Sequence, residues 1–382
     1  MAHDRRPLAK AYNVAIFCAL DVERTAILRV INRFDEDPDF YPYPQKDQDK
    51  NSYTPGLLGR HLVVVIKLVQ SGKVAATGAV STVKSTFPEI KFCVLVGVCG
   101  GAPKNLQNQD IVLGDVIVST RIFVSDRGRM TDGGLETYDD HDNLPNKLGK
   151  AFKGLIYRCR SDADQPRIER EINELMDAHQ RGFAQLEGYP EAGVDGIDRI
   201  KKYLYPTHIE DRLFQHDFEH RHHLPGICNH CEQGETKHCR HKPCSEMGCD
   251  RVSSKIISRR RLELGKRPDV RLHFGPFACA DHVLRTAQQR NRLSVEYDAI
   301  GFEMEGAGIW DELPTIVIKG VSDYADGHKN KDFQGYAATS SAKAVQVLMR
   351  HLPPIERPDD DRIDLKMPGE YWRSRLDRYN EG

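Results

Sequence analysis

The sequence predicts an α/β fold, and three observations carry that prediction. Short apolar runs recur along the chain at the length of strands that are covered on both faces. Segments with helical spacing of apolar residues alternate with these runs, and several of the links between them are short and contain glycine. The 382 residues are enough for one large α/β domain or two smaller ones.

The predicted elements of the first part of the chain alternate in type. In chain order they are a strand at 14–20, a helix at 26–34, a strand at 61–68, a helix at 73–87, and strands at 92–98 and 111–119. Ser71 is expected to cap the second helix, with Val74 on the apolar side of that helix. Residues 35–56 are polar, contain four prolines, and are interpreted as a loop.

The pattern is interrupted in the middle of the chain and then resumes. A helix is predicted at 145–156, and residues 160–270 are charged and poor in β-branched runs, with helices predicted at 167–181 and 194–205. Strands at 272–279 and 315–321 and a helix at 336–351 follow. The predicted organisation is one α/β domain at 11–351 with an insertion at 160–270, followed by a charged tail at 352–382.

Composition argues against several classes of protein. The net charge is −1, which disfavours a dedicated nucleic-acid binder or a protein of the membrane surface. No apolar run approaches the length of a bilayer span, and the N-terminus lacks the pattern of a signal peptide. Five scattered cysteines fit buried free thiols in a cytoplasmic protein, and these are Cys18, Cys93, Cys99, Cys159 and Cys279.

Three carboxylates lie at the ends of predicted strands or in the turns after them: Glu23, Glu305 and Asp323. Open α/β sheets bind ligands outside the carboxyl ends of their strands, so these side chains are expected to meet in one cleft. Three acids without an obvious nucleophile or a catalytic metal motif suit cleavage of an N-ribosidic bond, which has an oxocarbenium-like transition state. One acid protonates the leaving base, one carboxylate holds the sugar hydroxyls, and one orients water.

Six segments, in this order, resemble the purine and uridine phosphorylase-like superfamily of nucleoside phosphorylases and nucleosidases. They are AIFCALDVERTAI, QSGKVAATGAV, VLVGVCGGAP, IVLGDVIVS, FEMEGAG and GVSDYAD. The resemblance implies a three-layer fold in which helices flank a mixed, twisted sheet. The arrangement is most similar to a fungal branch, in which the domain occurs alone or as the N-terminal effector domain of immune-receptor-like proteins.

The resemblance also implies roles for individual residues. Asp323 matches the acid that protonates or hydrogen-bonds the purine N7, and Glu305 matches the glutamate that grips the ribose hydroxyls. Glu23 matches the glutamate that positions water in the hydrolases of the superfamily. The remaining residues expected at the substrate are Met304 beneath the sugar, Glu303 in a supporting role, and Cys99, Gly100, Ala278, Val283 and Ser322 around the base and sugar.

Hydrolysis is favoured over phosphorolysis. A phosphate dianion needs cations, but Glu23 would repel it, Arg24 is expected to project elsewhere, and no arginine follows the strand at 92–98. The expected substrate is a purine, and more specifically an adenine, nucleoside or nucleotide such as adenosine or ATP. Candidate cations for a 5′-phosphate are Lys50, Arg60, Lys73, Arg127, Arg129 and the basic residues of the insertion.

Two alternatives to the hydrolase stay open. One is a phosphate-dependent purine nucleoside phosphorylase, and the other is a catalytically weak nucleotide-sensing effector module of a fungal immune-type protein. In each case we expect a homo-oligomer that binds a small-molecule purine, without a nucleic-acid or membrane partner. No cofactor is expected for catalysis.

The insertion contains a cluster of five cysteines at 228–249, with His230, His238 and His241 among them. Four thiolates, or three with a histidine, bind Zn²⁺ tetrahedrally, and such a closed site would be structural. The preferred ligands are Cys228, Cys231, Cys244 and Cys249, with Cys239 as the alternative. The competing interpretation is a set of reduced or disulfide-paired cysteines that staple a long loop.

Overall fold

The computed structural model describes residues 7–35, 42–132, 134–138, 150–186, 200–224, 226–235, 239, 242–263 and 266–353. Its strands are β1 Val14–Cys18, β2 Asn32–Arg33, β3 Ser52–Leu58, β4 His61–Lys67, β5 Phe92–Gly101, β6 Val116–Val124, β7 Gly128–Thr131, β8 Gly134–Thr137, β9 Leu213–Phe214, β10 Ile256–Ile257, β11 Leu272–Cys279, β12 Gly301–Glu303 and β13 Thr315–Asp323. Its helices are α1 Asp21–Leu28, α2 Lys73–Thr86, α3 Lys150–Cys159, α4 Gln165–Leu186, α5 Asn229–Glu232, α6 Cys244–Met247, α7 Ala287–Tyr297, α8 Gly306–Trp310 and α9 Gln334–His351.

A mixed sheet of nine strands forms the centre of the fold, in the order β12-β11-β6-β13-β5-β1-β4-β3-β2. Strands β4, β1, β5 and β13 run parallel, whereas β6 is antiparallel to β13. Strand β12 also pairs with the end of β5, so that β5, β13, β6, β11 and β12 close into a ring. This closure brings the last residues of β5, β11, β12 and β13 to one place.

Helix α9 lies against the middle of the sheet, on β13 and β5, and it also contacts α1 and α4. Residues 335–349 of this helix are all buried. The backbone approaches closely at Gly320, where an added Cβ would lie 2.0 Å from the carbonyl oxygen of Ala337. Helices thus cover the sheet, and the predicted mixed α/β fold is confirmed.

Several predicted elements have different bounds in the structure. Helix α1 begins at Asp21, directly after β1, and not at residue 26. Residues 52–56, predicted as loop, belong to β3, which has only the two-residue β2 on its outer side and contains a proline. Strand β6 begins at Val116, since Ile111 to Asp115 form the turn before it. Helix α2 is preceded by Gly72 without a side-chain cap, so the predicted Ser71 cap is wrong, and Val74 is exposed.

Helix α4 belongs to the main core, although it was predicted within the insertion. Its Ile168, Ile172 and Met176 are fully buried in the same cluster as the sheet residues. The cysteine-containing segment has a separate small core, formed by Phe214, Met247 and buried cysteines. Residues 194–199 of the predicted helix at 194–205 lie outside the described residues, as does the predicted tail at 352–382 from residue 354 onward.

Among the described residues, no helix combines the length and the apolarity needed to cross a bilayer.

Candidate active site

A cavity of about 960 Å³ lies where the strand ends meet, within the range typical of small-molecule sites. Ten residues predicted from the sequence as catalytic or substrate-binding all line this cavity. They are Glu23, Cys99, Gly100, Ala278, Val283, Glu303, Met304, Glu305, Ser322 and Asp323. Ring closure of the sheet explains the grouping, because these residues are contributed by or follow β5, β11, β12 and β13, with α1 beside them.

Glu23 is held by the backbone on one wall of the cavity. Its Oε2 accepts hydrogen bonds from the N–H groups of Ala19 and Leu20, each at 2.8 Å, and its Oε1 accepts one from the N–H of Val98 at 2.7 Å. Burial raises the pKa of Glu23, although nearby Lys319 and the backbone donors oppose the rise. The carboxyl group therefore has a fixed orientation, and Oε1 keeps one acceptor position for a further donor such as water.

Lys319 is a member of the site that was not predicted from the sequence. It lies in the middle of β13 with 1% of its surface exposed, and its Nζ is 3.6 Å from Glu305 Oε2 and 3.9 Å from Glu23 Oε1. Burial acts to lower the pKa of Lys319, but the three surrounding glutamates outweigh it, and the pKa is raised above its usual value. The signal available in the sequence was a charged residue inside an apolar strand, which needs a buried partner.

Glu303 and Glu305 have different environments. Both oxygens of Glu303 accept backbone N–H bonds at the start of α8, from Glu305 and Gly306 at 2.8–3.0 Å. Burial raises the pKa of Glu303, and the charge of Glu305 adds to the rise. Glu305 accepts one bond from the N–H of Gly72 at 3.2 Å and borders the cavity. Glu303 thus orients the turn that presents Glu305.

Asp323 lies at the end of β13, on the cavity. Its Oδ1 accepts the N–H of Ala325 at 3.0 Å, and its Oδ2 lies 2.8 Å from Ser322 Oγ and 3.0 Å from Lys329 Nζ. Ser322 Oγ is also 3.2 Å from the carbonyl oxygen of Cys99. Burial raises the pKa of the Cys99 thiol, so this residue does not offer a thiolate nucleophile.

Five cations line the cavity, at positions that sequence reasoning largely missed: Lys242, Arg285, Arg292, Lys329 and Lys331. Lys242 and Pro243 come from the insertion, which therefore forms part of the wall. The basic residues named individually from the sequence lie elsewhere. Lys73, for example, forms an ion pair with Asp126, and Arg127 and Arg129 lie over Tyr138. Arg24 donates to Thr54 Oγ1 at 3.0 Å and does not line the cavity, as expected.

The predicted zinc ligands do not form one group. Cys244 and Cys249 lie with His220 and His328, whereas Cys228 and Cys239 lie with His222. The predicted set of Cys228, Cys231, Cys244 and Cys249 is therefore wrong as a single site, because the folded insertion separates its first and last cysteines. All ten cysteines are free thiols in the structure, and His238 and His241 lie outside the described residues.

Comparisons with known proteins find similar sequences among NLR-like proteins and nucleosidases. A nucleotide-binding leucine-rich repeat (NLR)-like protein of the fungus Hyaloscypha variabilis is 27% identical over 358 residues, which cover 92% of this chain and 30% of that protein. The 5′-methylthioadenosine/S-adenosylhomocysteine nucleosidase of Mycobacterium bovis is 28% identical over 163 residues, 38% of this chain and 62% of that protein. The chain thus spans less than two thirds of either relative. No model of a known protein family matches it.

Solved structures with a similar fold include the futalosine hydrolase of Helicobacter pylori, with a TM-score of 0.45 at 14% identity over 90% of this chain and 99% of that one. Another is a putative 5′-methylthioadenosine/S-adenosylhomocysteine nucleosidase from Borrelia burgdorferi bound to adenine, with a TM-score of 0.48 at 15% identity over 88% of this chain and 99% of that one. The chain resembles the nucleoside phosphorylase and nucleosidase superfamily, as the sequence motifs indicate, and its matches include a fungal NLR-like protein.

Proposed function

We propose that the chain hydrolyses the N-ribosidic bond of a purine nucleoside or nucleotide, with adenine as the base. The observation that carries the proposal is the pairing of two buried glutamates, Glu23 and Glu305, through one buried lysine, with Asp323 on the same cavity. This arrangement offers carboxylates both to a sugar that develops positive charge and to the water that attacks it.

In the proposed reaction, each acid acts at a different atom. Glu23 accepts a hydrogen bond from water at its remaining Oε1 position and takes the proton as the water oxygen bonds to the anomeric carbon. Glu305 accepts hydrogen bonds from the ribose hydroxyls. Asp323 protonates or hydrogen-bonds N7, so that the electron pair of the breaking C–N bond leaves with the base. The products are the free purine and ribose, or ribose phosphate from a nucleotide.

Water suits the acceptor position better than phosphate. The group fixed beside Val98 is the carboxylate of Glu23, and its nearest cation, Lys319, is already shared between two glutamates. A phosphate dianion at that position would meet negative charge at close range. Phosphorolysis remains the competing reaction of the same site.

The cations that line the cavity favour a phosphorylated substrate over a plain nucleoside. Lys242, Arg292 and Lys331 line the same cavity as the acids, and an ATP-like substrate could extend its phosphates toward them. Adenosine and ATP differ only in phosphate, so a comparison of the two substrates tests the role of these residues. Replacement of Lys242 and Lys331 should lower kcat/KM for ATP and leave kcat/KM for adenosine within a few fold of the wild-type value.

The test is a panel of adenosine, inosine, guanosine, AMP and ATP, each incubated with and without phosphate and resolved by chromatography. Free base with ribose or ribose phosphate in the absence of phosphate supports hydrolysis. A strict requirement for phosphate, with ribose 1-phosphate as product, would replace it with phosphorolysis. Asp323→Asn is the inactive control. Asp298→Asn is its matched partner, because Asp298 is an exposed residue in the left-handed region, where asparagine is tolerated.

A nucleotide-sensing module is the second candidate, and the NLR-like relative that matches 92% of the chain favours it. A sensor would bind the purine without releasing base. Calorimetric binding of ATP by a chain that shows no turnover, with the same affinity in Asp323→Asn, would favour sensing over hydrolysis. Sedimentation of the same samples with and without ATP would test the predicted homo-oligomer.

A further inference from the structure

Four side chains of types that commonly bind metal ions, from two distant parts of the chain, meet beside the candidate active site. His220, Cys244 and Cys249 come from the insertion, and His328 comes from the loop after β13. Their ligand atoms all lie within 4.8 Å of one another. Cys244 Sγ is 3.6 Å from His220 Nδ1 and 3.5 Å from His328 Nδ1, and Cys249 Sγ is 3.6 Å from His220 Nδ1.

These distances match the edges of a zinc tetrahedron. Zn²⁺ binds thiolate sulfur at about 2.3 Å and imidazole nitrogen at about 2.0–2.1 Å, and a tetrahedral angle then separates sulfur from nitrogen by about 3.6 Å. Thiol hydrogen bonds account for the contacts less well. Two thiols carry two hydrogens, but three sulfur–nitrogen contacts lie at this distance. One metal ion satisfies all four groups at once.

The other nitrogen of each ring supplies an independent observation. His220 Nε2 is 2.9 Å from the carbonyl oxygen of Lys242, and His328 Nε2 is 3.0 Å from that of Phe218. A carbonyl oxygen only accepts, so each Nε2 carries the hydrogen and donates it, and each Nδ1 presents a lone pair to the cysteines. Zinc-binding histidines are oriented in this way by a carbonyl or carboxylate on the second nitrogen.

We propose that His220, Cys244, Cys249 and His328 bind a structural Zn²⁺ ion that fastens the insertion to the loop carrying the candidate catalytic acid. His328 follows Asp323 by five residues, and its neighbour Lys329 forms the ion pair with Asp323. Lys242 and Pro243, which precede Cys244, line the cavity. The ion therefore holds two parts of the cavity wall together. With four protein ligands the site is closed, and it takes no part in the chemistry.

A second cluster with its own ligands lies in the same insertion. Cys228 Sγ is 3.5 Å from Cys239 Sγ, and both group with His222. Cys231 lies beside them, since its Sγ accepts the backbone N–H of His222 at 3.5 Å. We infer that His222, Cys228 and Cys239, with Cys231 as the fourth ligand, bind a second zinc ion, which predicts two ions per chain.

The first experiment measures zinc per chain by mass spectrometry in protein purified without chelators. We expect two ions in the wild type, one in His328→Asn, one in Cys244→Ser and one in Cys228→Ser. His216→Asn, at an exposed histidine of the same insertion, should keep both. Full zinc content in His328→Asn would overturn the proposal. The proposal would also fail if the wild type held one ion and each of Cys228→Ser and Cys244→Ser held none, because a single site with four cysteines gives that result.

X-ray absorption at the zinc edge keeps the proposal testable if a ligand variant does not fold. The Cys228→Ser protein isolates the proposed site, and its zinc should have equal numbers of sulfur and nitrogen neighbours; the wild type should show sulfur in excess. An all-sulfur shell in either protein contradicts the assignment. Wild-type protein that contains no zinc would also refute the proposal. Titration of thiols in denaturant would then show whether all ten cysteines are free or whether some form disulfides.

Hydrogen exchange tests the fastening role without any assay of activity. In His328→Asn the amides of residues 324–333 should exchange at least tenfold faster than in the wild type. In Cys228→Ser, which loses the other ion, the same amides should keep wild-type rates. Equal protection in both variants would show that the ion does not hold this loop.

Discussion

At the scale of single residues, the candidate site depends on how its buried charges are paired. Lys319 is shared by Glu23 and Glu305, and Glu303 is satisfied by backbone donors instead. A buried charge that loses its partner is costly, because neither water nor another ion replaces it. The acids and the lysine are therefore expected to respond to substitution as a unit.

Replacement of Lys319 by methionine should destabilise the protein by about 3–5 kcal/mol, the usual cost of breaking a buried pair. The loss should grow with pH. Without the cation, the folded-state pKa of Glu23 rises further above its unfolded value, so the variant loses stability as pH increases. Urea unfolding at pH 5 and pH 8 measures this. Lys91→Met, at an exposed lysine paired with Glu89, should change stability by less than about 0.5 kcal/mol at both pH values.

Glu23→Gln should lower kcat by about 10²–10⁴-fold, the range typical of a lost general base. The wild type should also lose activity on the acid side, because a base must be ionised and burial raises the pKa of Glu23 above its ordinary value of 4.5. A pH profile of base release measures both effects. If the residual activity of Glu23→Gln falls at low pH as that of the wild type does, a group other than Glu23 causes the fall. Asp21→Asn, on the exposed side of the same helix, is the matched control.

At the scale of elements, the contact between α1 and β5 sets the position of Glu23. Strand β5 passes so close that an added Cβ at Gly97 would lie 2.0 Å from Glu23 Oε1. The next residue, Val98, donates its N–H to the same oxygen. Strand and carboxylate are thus fitted to each other, and the glycine is required by the approach of a side chain.

Gly97→Ala should therefore displace Glu23, destabilise the protein by about 1–3 kcal/mol through overpacking, and reduce base release together with stability. Gly78→Ala is the control, since no atom lies within 4 Å of the added Cβ on the exposed side of α2. It should stabilise the helix by about 0.5–1 kcal/mol. The two variants are compared by their thermal unfolding and by their kcat for base release. Wild-type behaviour of Gly97→Ala would mean that β5 and α1 can separate.

At the scale of the whole molecule, polar contacts join the insertion to the sheet. Arg259 donates to the carbonyl oxygens of Pro103 and Ile111 at 2.8 and 2.6 Å. Asp211 accepts the N–H of Leu113 at 2.8 Å and the hydroxyl of Tyr324 at 2.7 Å. Tyr324 follows Asp323 directly, so the insertion is tied to the candidate site through these bonds as well as through the proposed zinc ion.

Asp211 should make this connection dependent on pH. Burial raises its pKa to about 6 from an ordinary 3.8. The folded protein thus binds the proton more tightly, so the stabilising contribution is complete below about pH 4 and is lost as pH rises through 6. Relative to Asp211→Asn, the wild type should lose up to about 3 kcal/mol between pH 4 and pH 7. Urea unfolding of both proteins across that range is the measurement, and a constant difference would contradict it.

Much of the fold and most of the candidate site were predictable from local sequence. Apolar runs predicted the strand at 272–279 with its observed bounds, and the six ordered motifs contain eight of the ten predicted residues that line the cavity, all except Ala278 and Val283. The failures have local causes too. The strand β3, which contains a proline, looked like loop, and the apolar turn before β6 looked like strand, because periodicity alone does not separate these cases.

The sequence by itself determined most of the central strands and the helices between them, and which acids stand at strand ends. Those properties depend on neighbours within a few residues. Only the tertiary structure decided that Lys319 joins Glu23 to Glu305, that the sheet closes through β12 and β5, and that His328 meets cysteines about 80 residues away. Such contacts depend on how distant segments pack, and the spacing of residues along the chain carries no record of that.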